Sequence, residues 1–149
     1  MGSVGVVVAA HAPLASALCA TASDILAVDP TASPRWVEIE PGAGADTTLQ
    51  QVSAAIHEAD EGAGVLLLAD LFGGSAANIA LACLGEHTVE VVTGANLPML
   101  LEAMTHRSTA GSPVALAGRV ARAAQDSVIV AGTLLTAPAH GPSPREANP

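Results

Sequence analysis

Two short apolar runs constrain the fold of this chain more than any other feature. Val4-Gly5-Val6-Val7-Val8-Ala9-Ala10 leads directly into His11, and Val65-Leu66-Leu67-Leu68-Ala69 leads into Asp70. Runs of this length, rich in valine or leucine and without polar alternation, read as strands buried on both faces. Such strands need helices above and below, and the sequence supplies helical patterns between them. Residues 14–28 are rich in Ala and Leu, with apolar side chains at Leu14, Ala17, Leu18, Ile25 and Leu26. Asp46 suits the cap of a second helix to residue 59, with Leu49, Val52, Ala55, Ile56 and Ala59 on one face. Further helices are expected over residues 76–84 after a Ser75 cap, over 98–106 with Pro98 in the first turn, and over 113–124.

The remaining strands are shorter. Trp36-Val37-Glu38-Ile39 alternates and reads as an edge strand, Val89-Glu90-Val91-Val92-Thr93 as another, and residues 127–131 as a last short one. Strands separated by helices imply crossover connections and a mostly parallel sheet. The fold expected is α/β, a three-layer open sheet of order 2-1-3-4 with a short antiparallel strand at the C-terminal end. The domain spans residues 1–136, and the Pro-, Ala- and Ser-rich residues 137–149 read as a disordered tail. In that strand order the winding reverses between the first and third strands, so the residues just beyond them share one crevice. Those residues are His11 and Asp70.

Composition narrows the function. The net charge is −9, all five basic residues are scattered arginines, and there is no lysine. Nucleic-acid binding needs a clustered positive face, so it is not expected; an acidic surface would favour a basic protein partner. Cys19 and Cys83 are far apart and form no metal-ligand spacing, so they read as buried free thiols in a reducing cytosol. The first apolar run is too short to cross a membrane and has no basic flank, and Val6 stands where a myristoylation motif needs Ser or Thr. A cytoplasmic protein without membrane insertion is expected.

A crevice histidine can act as base, metal ligand or nucleophile, and it can also be an ordinary loop residue. Neutral imidazole leaves one ring nitrogen free to attack. A carboxylate such as Asp70 would fix the tautomer and stabilise the cation formed, although a strand-end Asp can equally serve as a cap. A phosphoryl group on His11 would need donors. The helix starts after His11 and at Ser75 offer backbone N–H groups, Gly73 and Gly74 allow close approach, and the Ser75 hydroxyl adds one more. With no Walker pattern and no acidic pair after the first strand, the site reads as one that uses neither nucleotide nor metal, and no cofactor is expected. His57, His87, His106 and His140 read as surface or structural residues.

These residues resemble a known family. The stretch from Gly64 to Asn78, with Asp70-Leu71-Phe72-Gly73-Gly74-Ser75 at its centre, is similar to the mannose-type IIA component (EIIA-Man) of the bacterial phosphoenolpyruvate:sugar phosphotransferase system. Gly94-Ala95-Asn96-Leu97-Pro98-Met99-Leu100 matches a second segment of that family, and the strand ending in His11 a third. The resemblance implies that His11 is phosphorylated and Asp70 orients it, with Phe72, Asn96 and Met99 shaping the crevice that partners enter. It implies a phosphotransferase step in sugar uptake or its regulation: phosphoryl arrives from the phosphocarrier HPr and leaves to a IIB component. It further implies a homodimer exchanging the last strand. Two positions depart from the family pattern, Ala12 where Gly is usual and Ala76 where Pro is frequent. No IIB-like segment fits in the tail. Two other functions share these features: the phosphocarrier subunit serving dihydroxyacetone kinase, and a non-catalytic regulatory module read through its phosphorylation state.

Overall fold

The computed structural model describes residues 2–71 and 88–136. The sheet is four-stranded and parallel, in the order β2-β1-β3-β4. Its strands are β1 (Gly5–His11), β2 (Arg35–Ile39), β3 (Val65–Ala69) and β4 (Val89–Thr93). The helices are α1 (Leu14–Leu26), α2 (Ala45–Ala59), α3 (Leu97–His106), α4 (Pro113–Ser127) and α5 (Ala131–Thr136). The α/β class and strand order are those expected from the sequence.

Alternation along the central strands sends side chains to two cores. Val4, Val6, Val8 and Ala10, with Leu66 and Leu68, meet α1, α3 and α4 through Ala15, Cys19, Ala22, Met99, Leu100, Ala103, Leu116 and Val120. Val7, Ala9, Val65 and Leu67 face the other way, against Val52, Ile56 and Ala59 of α2. Each fully buried Val or Leu contributes about 1.5–3 kcal/mol relative to exposure, so the two strands that carry the site are also the most firmly held.

Helix α1 differs from its sequence pattern in which side chains it turns inward. Ala15, Cys19 and Ala22 are buried, whereas Leu14 and Ile25 are exposed. A stripe of small residues lets the helix axis approach the sheet, and the larger side chains are left at the margins. The same helix begins at Leu14 with Pro13 as its N-cap, so Pro13 stands just outside the first turn. Helix α2 starts two residues earlier than an Asp46 cap would give. Gly44 is the N-cap, and Asp46 sits within the first turn, where its charge complements the helix dipole.

The expected C-terminal strand is replaced in the single chain. Ser127 closes α4, Val128 leaves it with an extended backbone, and Ala131 already belongs to α5. Val128, Ile129, Val130, Leu134 and Leu135 are all exposed. A strand exists only through hydrogen bonds to a neighbour, and this segment pairs with no strand among the described residues. At the opposite end of the sheet from His11, Gly64 has a positive φ of 82° and packs against the Thr88 carbonyl and Pro113. Gly5 lies equally close to the Ala59 carbonyl. Neither position has room for a β-carbon.

Candidate functional site

The site forms where β1 and β3 end side by side. Register sets Ala9 beside Ala69, so His11 and Asp70 emerge close together at the point where the chain's winding reverses. The loops beyond are stitched to the sheet. The Ala12 N–H donates to the Ile39 carbonyl at 3.2 Å, the Ala95 N–H to Ala69 at 2.9 Å, and the Gly94 N–H to Asp70 at 3.2 Å.

Asp70 holds His11 twice. Its Oδ2 accepts from the His11 backbone N–H at 3.0 Å and lies 2.8 Å from ring Nδ1. Oδ1 accepts from the Leu71 N–H at 2.9 Å. Partial burial works to raise the Asp70 carboxyl, but the hydrogen bonds from the His11 amide and ring, the His11 charge and the Leu71 amide outweigh it. The group is held below the ordinary aspartate range. An ionised carboxylate only accepts, so it assigns the ring proton to Nδ1 and leaves Nε2 with a lone pair. The His11 side chain is 59% exposed and that of Asp70 13%, so the ring faces outward while its anchor is covered. Exposed Leu14 and Leu71 flank the pair in sequence.

Asn96 caps α3, its Oδ1 accepting from the Met99 N–H at 3.0 Å. Met99 itself belongs to the core and is 1% exposed, so its side chain offers no surface to a partner, contrary to the sequence expectation. The third position of α3 points into the sheet, and burial of an unbranched apolar side chain follows. Phe72, Gly73, Gly74 and Ser75, expected to bind phosphate or a partner, lie outside the described residues. So do Ala76, Cys83, His87 and His140. His106 lies 3.4 Å from Glu102 on the same helix, and His57 is exposed in the last turn of α2.

Glu38 was missed by the sequence pattern. It reaches from β2 to the start of α1, where its Oε1 accepts from the Ser16 N–H at 2.9 Å. The expectation that the α1 start stands open to a phosphoryl group is therefore corrected in part: its third amide is already taken by a carboxylate. The signal available was an acid between the apolar residues Val37 and Ile39 of a short strand. Cys19 lies on the same side, and burial followed by the Glu38 charge pushes its thiol up to about 12. Among the described residues no cluster of three His, Cys, Asp or Glu is placed to hold a metal, and no helix is long and apolar enough to cross a membrane.

An exposed histidine, anchored by a covered carboxylate at the reversal point of a parallel sheet, defines the class: an α/β domain that presents one ring nitrogen to the outside. Residues 5–133 match the EIIA-man family model, described as "PTS system fructose IIA component". The chain belongs to this mannose-type IIA family of the phosphotransferase system. It is 33% identical over 107 residues to the "PTS system mannose-specific EIIAB component" of Escherichia coli K12, an alignment covering 70% of this chain and 32% of that protein. The chain thus spans about a third of the length of the curated relatives it matches. Among solved structures, the mannose/sorbose-specific IIA subunit of Enterococcus faecalis superposes with a TM-score of 0.73 at 26% identity, covering 86% of this chain and 94% of that one. A IIA protein associated with the fucose utilization operon of Streptococcus pneumoniae gives 0.70 at 27% identity, covering 91% and 99%.

Proposed function

We propose that the chain is a phosphohistidine carrier in sugar uptake or its regulation, accepting a phosphoryl group from HPr on His11 and passing it to a IIB component in the cytoplasm. The 2.8 Å contact between His11 Nδ1 and Asp70 Oδ2 carries this reading, because it leaves Nε2 as the exposed nucleophile. In the forward step the Nε2–P bond forms as the P–N bond of the donor's phosphohistidine breaks. The Nδ1 proton stays on His11, facing Asp70, which offsets the positive charge the ring acquires. In the second step the acceptor's ring nitrogen displaces His11, and neutral imidazole is restored. The ring is itself the nucleophile, so the step is written without a metal or cofactor. Gly73, Gly74 and Ser75 are proposed to hold the phosphoryl oxygens, and Phe72 and Asn96 to shape the approach.

Purified phosphorylated HPr, mixed with this chain in a chelator, is expected to place an acid-labile, base-stable phosphate on it. His11→Ala should abolish the label. Label persisting in that variant, or a label dependent on added metal, would overturn the assignment.

The exposed apolar run at Val128, Ile129 and Val130, with Leu134 and Leu135, supports a homodimer in which this segment is covered by a second copy. Sedimentation is expected to give twice the chain mass of 14.7 kDa. A chain truncated after Ser127 should sediment as a monomer; a dimer persisting there would remove the segment from the interface.

A further inference from the structure

Glu38 has a buried polar atom that the carrier reading leaves without a role. It stands level with Ala10 on the neighbouring strand, one register position below His11, and adjacent strands are about 4.8 Å apart. Its Oε1 accepts from the Ser16 N–H at 2.9 Å, while Oε2 is buried with no hydrogen-bond partner among the described residues. Ser16 is the third residue of α1, and α1 begins three residues after His11. The first amides of a helix have no carbonyl partner inside it and carry the positive end of its dipole. Pro13, at the N-cap, makes no side-chain cap. A carboxylate from another strand therefore caps the helix start that follows the candidate phosphorylation site in the chain. Capping alone needs only a neutral acceptor, yet here a charge is used, with one oxygen left unsatisfied at a cost in stability.

We propose that Glu38 is a positioning residue that keeps the phosphoryl group on His11 easy to pass on, by withholding the amide and the positive field of the α1 start from it. The inference rests on the carrier reading. A carrier must release what it receives, and an uncapped helix start beside the ring would bind the phosphoryl dianion and hold it. The Glu38 charge cancels part of that field through α1, without touching the reacting atoms.

The test is the equilibrium of phosphoryl exchange with HPr, read by phosphorus NMR on the full chain. Glu38→Gln preserves shape and the acceptor at Oε1 and removes the charge. The phosphorylated form of the chain is then expected to be favoured about two- to fivefold more than in the unsubstituted protein, and the label should survive longer by a similar factor. Glu38→Asp keeps the charge and should stay nearer the unsubstituted value. Should the Gln variant fail to fold, Glu38→Met gives up the cap but removes the charge and the unpaired oxygen together at similar volume; it also frees the Ser16 amide, so a shift at least as large is expected. A folded Gln or Met variant with an unchanged equilibrium, or an Asp variant shifted as far as Gln, would overturn the proposal. An unsubstituted chain that takes no phosphoryl from HPr would overturn the carrier reading as well, so the two failures are distinct.

Discussion

Two carboxylates stand on either side of β1, and the fold employs them differently. Asp70, from β3, engages both oxygens, on the Leu71 amide and on the His11 amide and ring. Glu38, from β2, engages one oxygen on a helix amide and leaves the other buried and, among the described residues, unpaired. In the proposed carrier reading the first is coupled to a group that changes charge during transfer; the second faces a dipole that never changes. A carboxylate's worth to catalysis depends on that distinction more than on its depth.

The largest expected break in this comparison is Asp70→Asn. The variant should fold, but its transfer from phosphorylated HPr should slow about a hundredfold, the usual scale for losing one preorganised electrostatic partner. Stopped-flow transfer kinetics check this, and an unchanged rate would remove Asp70 from the mechanism. Next is Glu38→Ala, which uncaps α1 and should lower the unfolding free energy by about 1 kcal/mol, measured by urea titration. Stability equal to the unsubstituted chain's would mean the cap contributes nothing.

A smaller effect appears in acid. The Asp70 carboxyl is held low in the folded protein, so the native state binds fewer protons than the unfolded chain near the ordinary aspartate value. Its contribution is complete above about pH 4 and is lost as pH falls through the depressed folded value. Thermal melts below pH 4 should therefore fall less steeply for Asp70→Asn than for the unsubstituted chain; parallel curves would contradict this. The smallest change is expected at Cys19, whose buried thiol is pushed up to about 12. At pH 8 the folded chain should resist alkylation there, as mapped by mass spectrometry, and reaction at the rate of a free thiol would show the α1 side to be open.

How much was legible follows from the kind of signal each feature leaves. His11 and Asp70 follow apolar runs too long for loops, and strand order alone brings their positions together. The inward face of α1 was harder to read, because Ala15, Cys19 and Ala22 are weaker hydrophobic markers than Leu14 and Ile25, which point out. Glu38 was hidden because its partner, Ser16, lies 22 residues away on another element, and a local pattern cannot show a cap supplied from a distance. Residues 127–131 carry genuine strand composition, yet composition cannot supply a pairing edge, and within one chain the segment follows α4 into α5 instead.

Gly5 and Gly64, jammed against backbone at the far end of the sheet, bear on how this molecule would look to a saturation screen. Almost any replacement there should deplete protein from the cell, as severely as replacements at His11 are proposed to deplete function. Intolerance by itself would then flag two unrelated regions with equal force. Scoring abundance and phosphate label in parallel would separate them, with the glycines losing both signals and the histidine only the second.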